Sequence, residues 1–206
     1  MKKFSYAILL AIMFVACNQS PEKKAEALIK DDLKKLLYKP ETYKPVETKV
    51  DTAFAPYDNP ALFEEMSALI KLSSEFSELN EEMKNAKSSM AIWGDGRSAF
   101  DKNCYQEAVD KYNMANASFE KLVVKGKKIK ENLFSMLQGE KQFIGYKAFH
   151  NYRADNNAGN TLIGNMVYFI DKDFKEIQYA LELEEYNKLH DYIGRFVDEY
   201  LSEEEK

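Results

Sequence analysis

Cysteine is close to absent from this 206-residue chain: only Cys17 and Cys104 are present. So few thiols give no disulfide framework, and stability has to come from packing. Histidine is as rare. His150 and His190 fall on different predicted elements, with no Cys or His at ligand spacing, so a zinc site of three or four such ligands is rejected. Asp171-x-Asp173 fails as a calcium loop because the sixth position, which needs glycine, is Glu176. Glycine is scarce, at 8 residues, and neither a Gly-x-Ser-x-Gly elbow nor a phosphate-binding loop occurs. No cofactor is implied and no catalysis is evident, so the chain is read as more in keeping with a non-enzyme. An excess of basic residues is also missing: 29 Lys and Arg stand against 34 Asp and Glu, for a net charge of −5. That balance excludes nucleic acid as the expected partner, and it excludes adhesion to an anionic membrane by charge alone.

Long hydrophobic runs are lacking too, with one exception. Lys2 and Lys3 precede a run from Phe4 to Ala16 that is apolar but for Ser5 and stops at Cys17. A positive start, a short apolar stretch and a small residue before the cut are the marks of a secretory signal peptide. The run is shorter than the ~20 apolar residues a bilayer span needs. Phe14-Val15-Ala16-Cys17 resembles the lipobox of bacterial lipoproteins, with Phe in place of the usual Leu. That resemblance implies cleavage before Cys17 and lipidation of its thiol and its new amino group, palmitate included. One buried acyl chain holds weakly, whereas three make an effectively permanent anchor. Asn18 in place of Asp after the Cys implies, by the same resemblance, the outer membrane, at its periplasmic face or the cell surface. Cys104 is then left without a partner. Loss of Lys2 and Lys3 moves the net charge from −5 to −7. The expected division is a signal peptide over 1–16, a lipidated tether over 17–22 and a single α+β domain over 23–206.

Within that domain Ala25, Leu28, Ile29, Leu33, Leu36 and Leu37 recur at helical spacing and predict a helix that ends before Pro40. Tyr43–Phe54 alternates, with Val46, Thr48, Val50, Thr52 and Phe54 on one face, and predicts a half-buried strand. Asn59-Pro60 opens a long 3–4 pattern running through Met90. Gly94-Asp95-Gly96 marks a turn, and Ser98 with Asp101 forms a capping box for a second long helix through Met136. The two predict an antiparallel, coiled-coil-like helical hairpin inserted over 60–138, with Phe76 facing Ala115, Met83 facing Ala108, and Lys125 and Lys128 beside Glu64 and Glu65. The lysine run from Lys121 to Lys130 is read as an ion-paired, solvated face. Phe143–Arg153, Thr161–Asp171 and Phe174–Tyr179 predict a three-stranded antiparallel meander, its second strand apolar on both faces and therefore covered on both sides. Leu183, Tyr186, Leu189, Ile193, Phe196, Val197 and Tyr200 predict a last helix covering one of them, followed by a solvated tail.

Two places are candidates for function. On the first meander strand, alternation sets Tyr146, His150 and Tyr152 on one face, with Arg153 on the other and Asp155 at the start of an Asn-rich loop. These suit a polar aromatic site for an anionic or sugar-like ligand. They suit equally a sheet whose Tyr and His residues rim the core, with Arg153–Asp155 as a local ion pair, and this packing reading is preferred. At the hairpin turn, Met90, Ile92 and Trp93, the only tryptophan, would make an adhesive end for a protein or lipid partner if exposed; otherwise they close the hairpin on itself.

Glu41-Thr42-Tyr43-Lys44-Pro45-Val46 and Gly145-Tyr146-Lys147-Ala148-Phe149-His150-Asn151-Tyr152-Arg153-Ala154-Asp155-Asn156 resemble small uncharacterised lipoproteins of Bacteroides-type Gram-negative bacteria. The resemblance implies a lipid-anchored envelope protein and supplies no activity. The sequence thus predicts an α+β fold: a small antiparallel sheet, one strand plus a three-stranded meander, flanked by helices, with the hairpin as an inserted reaching arm. The expected function is a lipid-anchored cell-envelope protein of interaction or scaffold type, with the membrane and an envelope protein as partners. The alternative is a ligand-binding or hydrolytic lipoprotein using the site on the meander.

Overall fold

The computed structural model describes residues 19–200, so the expected signal peptide, Cys17 and the polar tail lie outside the described residues. The fold is α+β, and it divides into two compact units. Among the described residues, one is formed by 19–60 together with 140–200, the other by Ala61–Gly139.

In the first unit, α1 (Pro21–Leu36) starts two residues inside the stretch read as tether. Ser20 caps it and Pro21 occupies a first-turn position where its missing N–H is harmless. A short 3-10 turn at Pro40–Thr42 leads into β1 (Lys44–Ala55), and after the second unit come β2 (Gln142–Asp155), β3 (Thr161–Ile170), β4 (Ile177–Glu182) and α4 (Leu183–Tyr200). The four strands form one antiparallel sheet in the order β1-β2-β3-β4. Period-2 alternation puts Ala148, Tyr168 and Ile170 on one face, where they pack with Ala25, Ile29 and Leu33 of α1. Val167, Phe169 and Leu181 are buried on the other face, where Tyr186 of α4 meets the Phe149 and Phe169 rings. Tyr186, Leu189, Ile193 and Phe196 form the buried stripe of α4, as their spacing predicted.

The strands depart from the predicted pattern at three places. Val46 falls between the paired residues Pro45 and Glu47, so it bulges outward and is exposed, while Thr48 and Val50 turn inward. A second irregularity sits opposite Ala53, where Gly145 takes φ +151° and a Cβ would lie 2.1 Å from the Ile170 carbonyl oxygen. The final strand begins at Ile177 instead of Phe174. Asp171 holds the preceding turn closed by accepting the N–H groups of Lys175 (2.6 Å), Glu176 (2.9 Å) and Asp173 (3.2 Å). Phe174, at φ +56°, stacks on Tyr146 with centroids 4.2 Å apart.

The second unit is the helical hairpin, α2 (Pro60–Trp93) packed against α3 (Ala99–Leu137). Its 34 and 39 residues make arms of about 50 and 60 Å at 1.5 Å per residue. The Ser98–Asp101 capping box forms as predicted, each side chain serving the other's backbone N–H. Buried residues are large where Leu62, Phe63, Met66 and Leu72 run beside Ile129, Leu133 and Leu137. They shrink to Ala86, Ala108 and Ala115 toward the turn. The register lies one turn away from the predicted one: Phe76 meets the Phe119 ring edge-on at 5.0 Å instead of facing Ala115. In this register Gly126 lies against Leu72, where a Cβ would come 3.0 Å from Leu72 Cδ2. The expected ion pairs do not form either. Glu65 accepts a hydrogen bond from Asn132 Nδ2 at 2.8 Å, and among the described residues neither Lys125 nor Lys128 has a carboxylate within ion-pair distance.

Gly145→Ala and Gly194→Ala should therefore move stability in opposite directions. Gly145→Ala drives a methyl into the Ile170 carbonyl and should destabilise by about 2–3 kcal/mol. Gly194, on α4 with nothing within 4 Å of the new Cβ, should gain up to ~1 kcal/mol from helix propensity. Chemical denaturation of the two variants checks both signs.

Candidate functional site

His150 and Tyr152 share the α1 face of the sheet, as their alternation predicted, and His150 is fully buried. Its ring is enclosed by hydrogen bonds. Tyr43 Oη lies 3.0 Å from Nε2 and Thr48 Oγ1 lies 2.9 Å from Nδ1, so one hydroxyl donates and the other accepts in either tautomer. Tyr152 stacks on it with centroids 5.7 Å apart, and Tyr168 meets it edge-on at 6.3 Å. Burial pulls the imidazole pKa down to about 4 and pushes the Tyr43 hydroxyl up to about 12. A neutral, fully hydrogen-bonded imidazole with no exposed surface has no route to a substrate, which removes it as a general base.

The other residues singled out with His150 are not gathered around it. Tyr146 lies further along β2, between the rings of Phe143 (5.5 Å) and Phe174 (4.2 Å). Arg153 is exposed on the opposite face, paired across the strands with Lys44 and Ile163. Asp155 accepts a hydrogen bond from Thr161 Oγ1 at 2.6 Å, and its N–H donates to Thr42 Oγ1 at 2.8 Å. Among the described residues no ion pair joins Arg153 to Asp155, so that part of the packing reading is corrected. The pair that does form is Lys147–Asp58, at 2.7 Å. It lies largely out of solvent, Tyr186 Oη is 3.4 Å from the ammonium, and Asp58 also accepts the Phe54 N–H at 2.9 Å. It ties β1, β2 and α4 together. The partners lie 89 positions apart, and no local pattern announces them.

A cleft of about 660 Å³ opens beside Tyr152 and Asp155. Its lining includes Leu36 and Leu37 at the end of α1, Leu162, Ile163 and Gly164 of β3, and Glu182 and Glu184 where β4 passes into α4. Neither His150 nor Arg153 reaches it, and no Lys or Arg lines it. Three carboxylates without a lining base are the wrong sign for an anionic ligand in this cleft. Burial and the Glu182 carboxylate both raise the Tyr152 pKa, so that phenol stays protonated.

In the hairpin, Met90 and Trp93 are half-buried and Ile92 is 70% exposed. Phe100, which the sequence reading passed over, is 68% exposed across the turn and meets the Trp93 ring edge-on at 5.9 Å. Trp93 also joins Cys104, Ala86 and Ala108 in a groove of about 660 Å³ between the helices. Among the described residues no three His, Cys, Asp or Glu side chains come together as metal ligands, and no helix is long and apolar enough to cross a membrane.

The buried imidazole gives the fold an acid-sensitive point. The unfolded chain takes up this proton near pH 6.5, the folded chain only near 4, so folding is favoured in full above about pH 6.5. Stability should fall as pH drops from there toward 4, by up to ~1.4 kcal/mol per pH unit. His150→Gln should be less stable at neutral pH and should show a shallower acid slope, read by urea denaturation at pH 7.5, 6, 5 and 4.5. Parallel slopes would show that His150 already carries a proton in the folded state.

Compared with known protein families, curated proteins and solved structures, the chain matches none.

Proposed function

We propose that this chain is a lipid-anchored cell-envelope protein of the interaction or scaffold type, with no catalytic centre, which engages a protein partner through the turn end of its helical hairpin. The observation that carries the reading is the pair Ile92 and Phe100, both exposed, flanking a tryptophan that leans on one of them. Large apolar side chains left in water together are unfavourable by about 25 cal/mol per Å², and covering them with a partner recovers that energy. Tryptophan at the centre of such a patch is the residue type most often found at the energetic core of an interface. The anchor rests on the lipobox-like Phe14-Val15-Ala16-Cys17, and the outer-membrane address on Asn18.

The second reading, a hydrolytic or ligand-binding lipoprotein using His150, Tyr152 and Arg153, is disfavoured as hydrolysis. The imidazole is sealed and the guanidinium is on the other face of the sheet. Its ligand-binding half keeps one supporting observation, the cleft beside Tyr152.

Two variants separate the anchor from the contact. Cys17→Ser should abolish palmitate labelling and release the protein from membranes. The double variant Ile92→Asp, Phe100→Asp changes only exposed side chains, so it should keep its labelling and helical content while losing the partners crosslinked to the unaltered protein in intact envelopes. An unchanged partner set would remove the hairpin end from the account; absence of label in the unaltered protein would remove the anchor.

A further inference from the structure

β3 is paired with β2 along its whole length, from Thr161 opposite Asp155 to Ile170 opposite Tyr146. β4 accompanies it only from Ile170 back to Met166, which pairs with Glu182; at Leu183 the chain has turned into α4. Thr161–Asn165 therefore has a strand on one side and none on the other. Leu162 and Ile163, on opposite faces of that segment, are 56% and 66% exposed.

Open strand edges are templates for pairing, and proteins blunt them with lysine, proline or a bulge. The outer edge of β1 carries all three: Lys44, Pro45, the bulge at Val46, and Lys49 further on. Thr161-Leu162-Ile163-Gly164-Asn165 has no lysine, no proline and no register shift. This edge opens into the cleft already described, beneath Leu36 and Leu37. Gly164 lets Tyr152 form its floor, since a Cβ there would sit 2.3 Å from the tyrosine ring. Carboxylates line the cleft toward both ends of the edge: Asp155, on the neighbouring β2 and accepting from Thr161 Oγ1, and Glu182 and Glu184 beyond Asn165.

From this geometry we infer that Thr161–Asn165 is a strand-addition site for an extended peptide segment of a partner protein, apolar at alternate positions and carrying a Lys or Arg near each end. Main-chain hydrogen bonds to the open edge supply the alignment, the apolar side chains cover Leu162 and the Tyr152 ring, and the terminal cations meet Asp155 on one side and Glu182 and Glu184 on the other. The matching stretch of partner is about 17 Å long at strand rise. A second copy of this chain does not fit, because pairing two such edges would set carboxylate against carboxylate at both ends, Asp155 of one copy toward Glu182 and Glu184 of the other. The site lies outside the helical hairpin and stands whether or not the hairpin end engages a partner.

The test uses the full chain in detergent micelles and fluorescence anisotropy with three labelled, end-blocked seven-residue peptides: Lys-Thr-Val-Thr-Val-Thr-Lys, the same peptide with Glu for both Lys, and the Lys peptide with alternate amides N-methylated. The first should bind, weakening as salt screens its charges. The Glu peptide should bind at least ~10-fold more weakly, as should the N-methylated one, which keeps both charges but cannot complete the ladder. Leu162→Lys, a change at an exposed position, should lower affinity for the first peptide by a similar factor while leaving the thermal transition in place. Equal binding of the N-methylated and unmethylated peptides would overturn the proposal in favour of simple attraction to an acidic cleft. So would no binding by the first peptide, or sedimentation showing that the edge is occupied by a second copy.

Discussion

The end of β3 has to be dry on both sides. Val167, Tyr168, Phe169 and Ile170 follow one another and all are buried, alternating toward α1 and toward the α4 face. Each such side chain contributes about 1.5–3 kcal/mol when removed from water, so a sheet carrying this sequence is stable only when covered twice. The covers come from opposite ends of the described chain, α1 before the sheet and α4 after it. The helical hairpin interrupts the chain between β1 and β2 without disturbing this arrangement, because Ala55 and Gln142 are themselves cross-strand neighbours.

Into the α1 face the fold sets one histidine. Thr48 lies directly opposite His150 across the β1–β2 ladder, and Tyr43 reaches it from just before β1. A slip of β1 by one residue would turn Thr48 to the other face and leave a buried imidazole nitrogen without a partner, so the three residues fix the register of the edge strand. The same enclosure that makes the imidazole useful for pairing strands makes it useless for chemistry. That is why the aromatic face of β2 around His150, which looks like a site in the sequence, is a core, and only its Tyr152 end opens to the cleft.

Much of this is legible in the amino acids. The two-faced apolar run of β3, the 3–4 stripe of α4 and the Ser98–Asp101 capping box each declare themselves locally, and each stands where the pattern puts it. The pattern misleads where a distant or non-periodic contact decides. Phe174 looks like the start of β4, but the Asp171 carboxylate holds three backbone N–H groups and Phe174 stacks on Tyr146. Burial opposes ionisation of that carboxylate, yet the three N–H groups together hold its pKa below the ordinary range. The hairpin register brings Gly126 against Leu72 and Phe76 against Phe119, a matter of fit between residues far apart in sequence. As for the candidate site, Tyr152 and Asp155 stand out in the sequence, whereas nothing local marks Leu36, Glu182 or the open edge of β3. The edge exists only because β4 is shorter than β3, and strand ends are what periodicity reads least well.

The arrangement therefore rests on one strand that is sealed at one end and open at the other. Residue-resolved amide hydrogen exchange measures that contrast directly. Amides of Val167–Ile170 should exchange only through global unfolding, while those of Thr161–Asn165 that point away from β2 should exchange at least ~100-fold faster through local opening. Uniform protection along the whole of β3 would contradict the account, because it would mean that something already covers the edge.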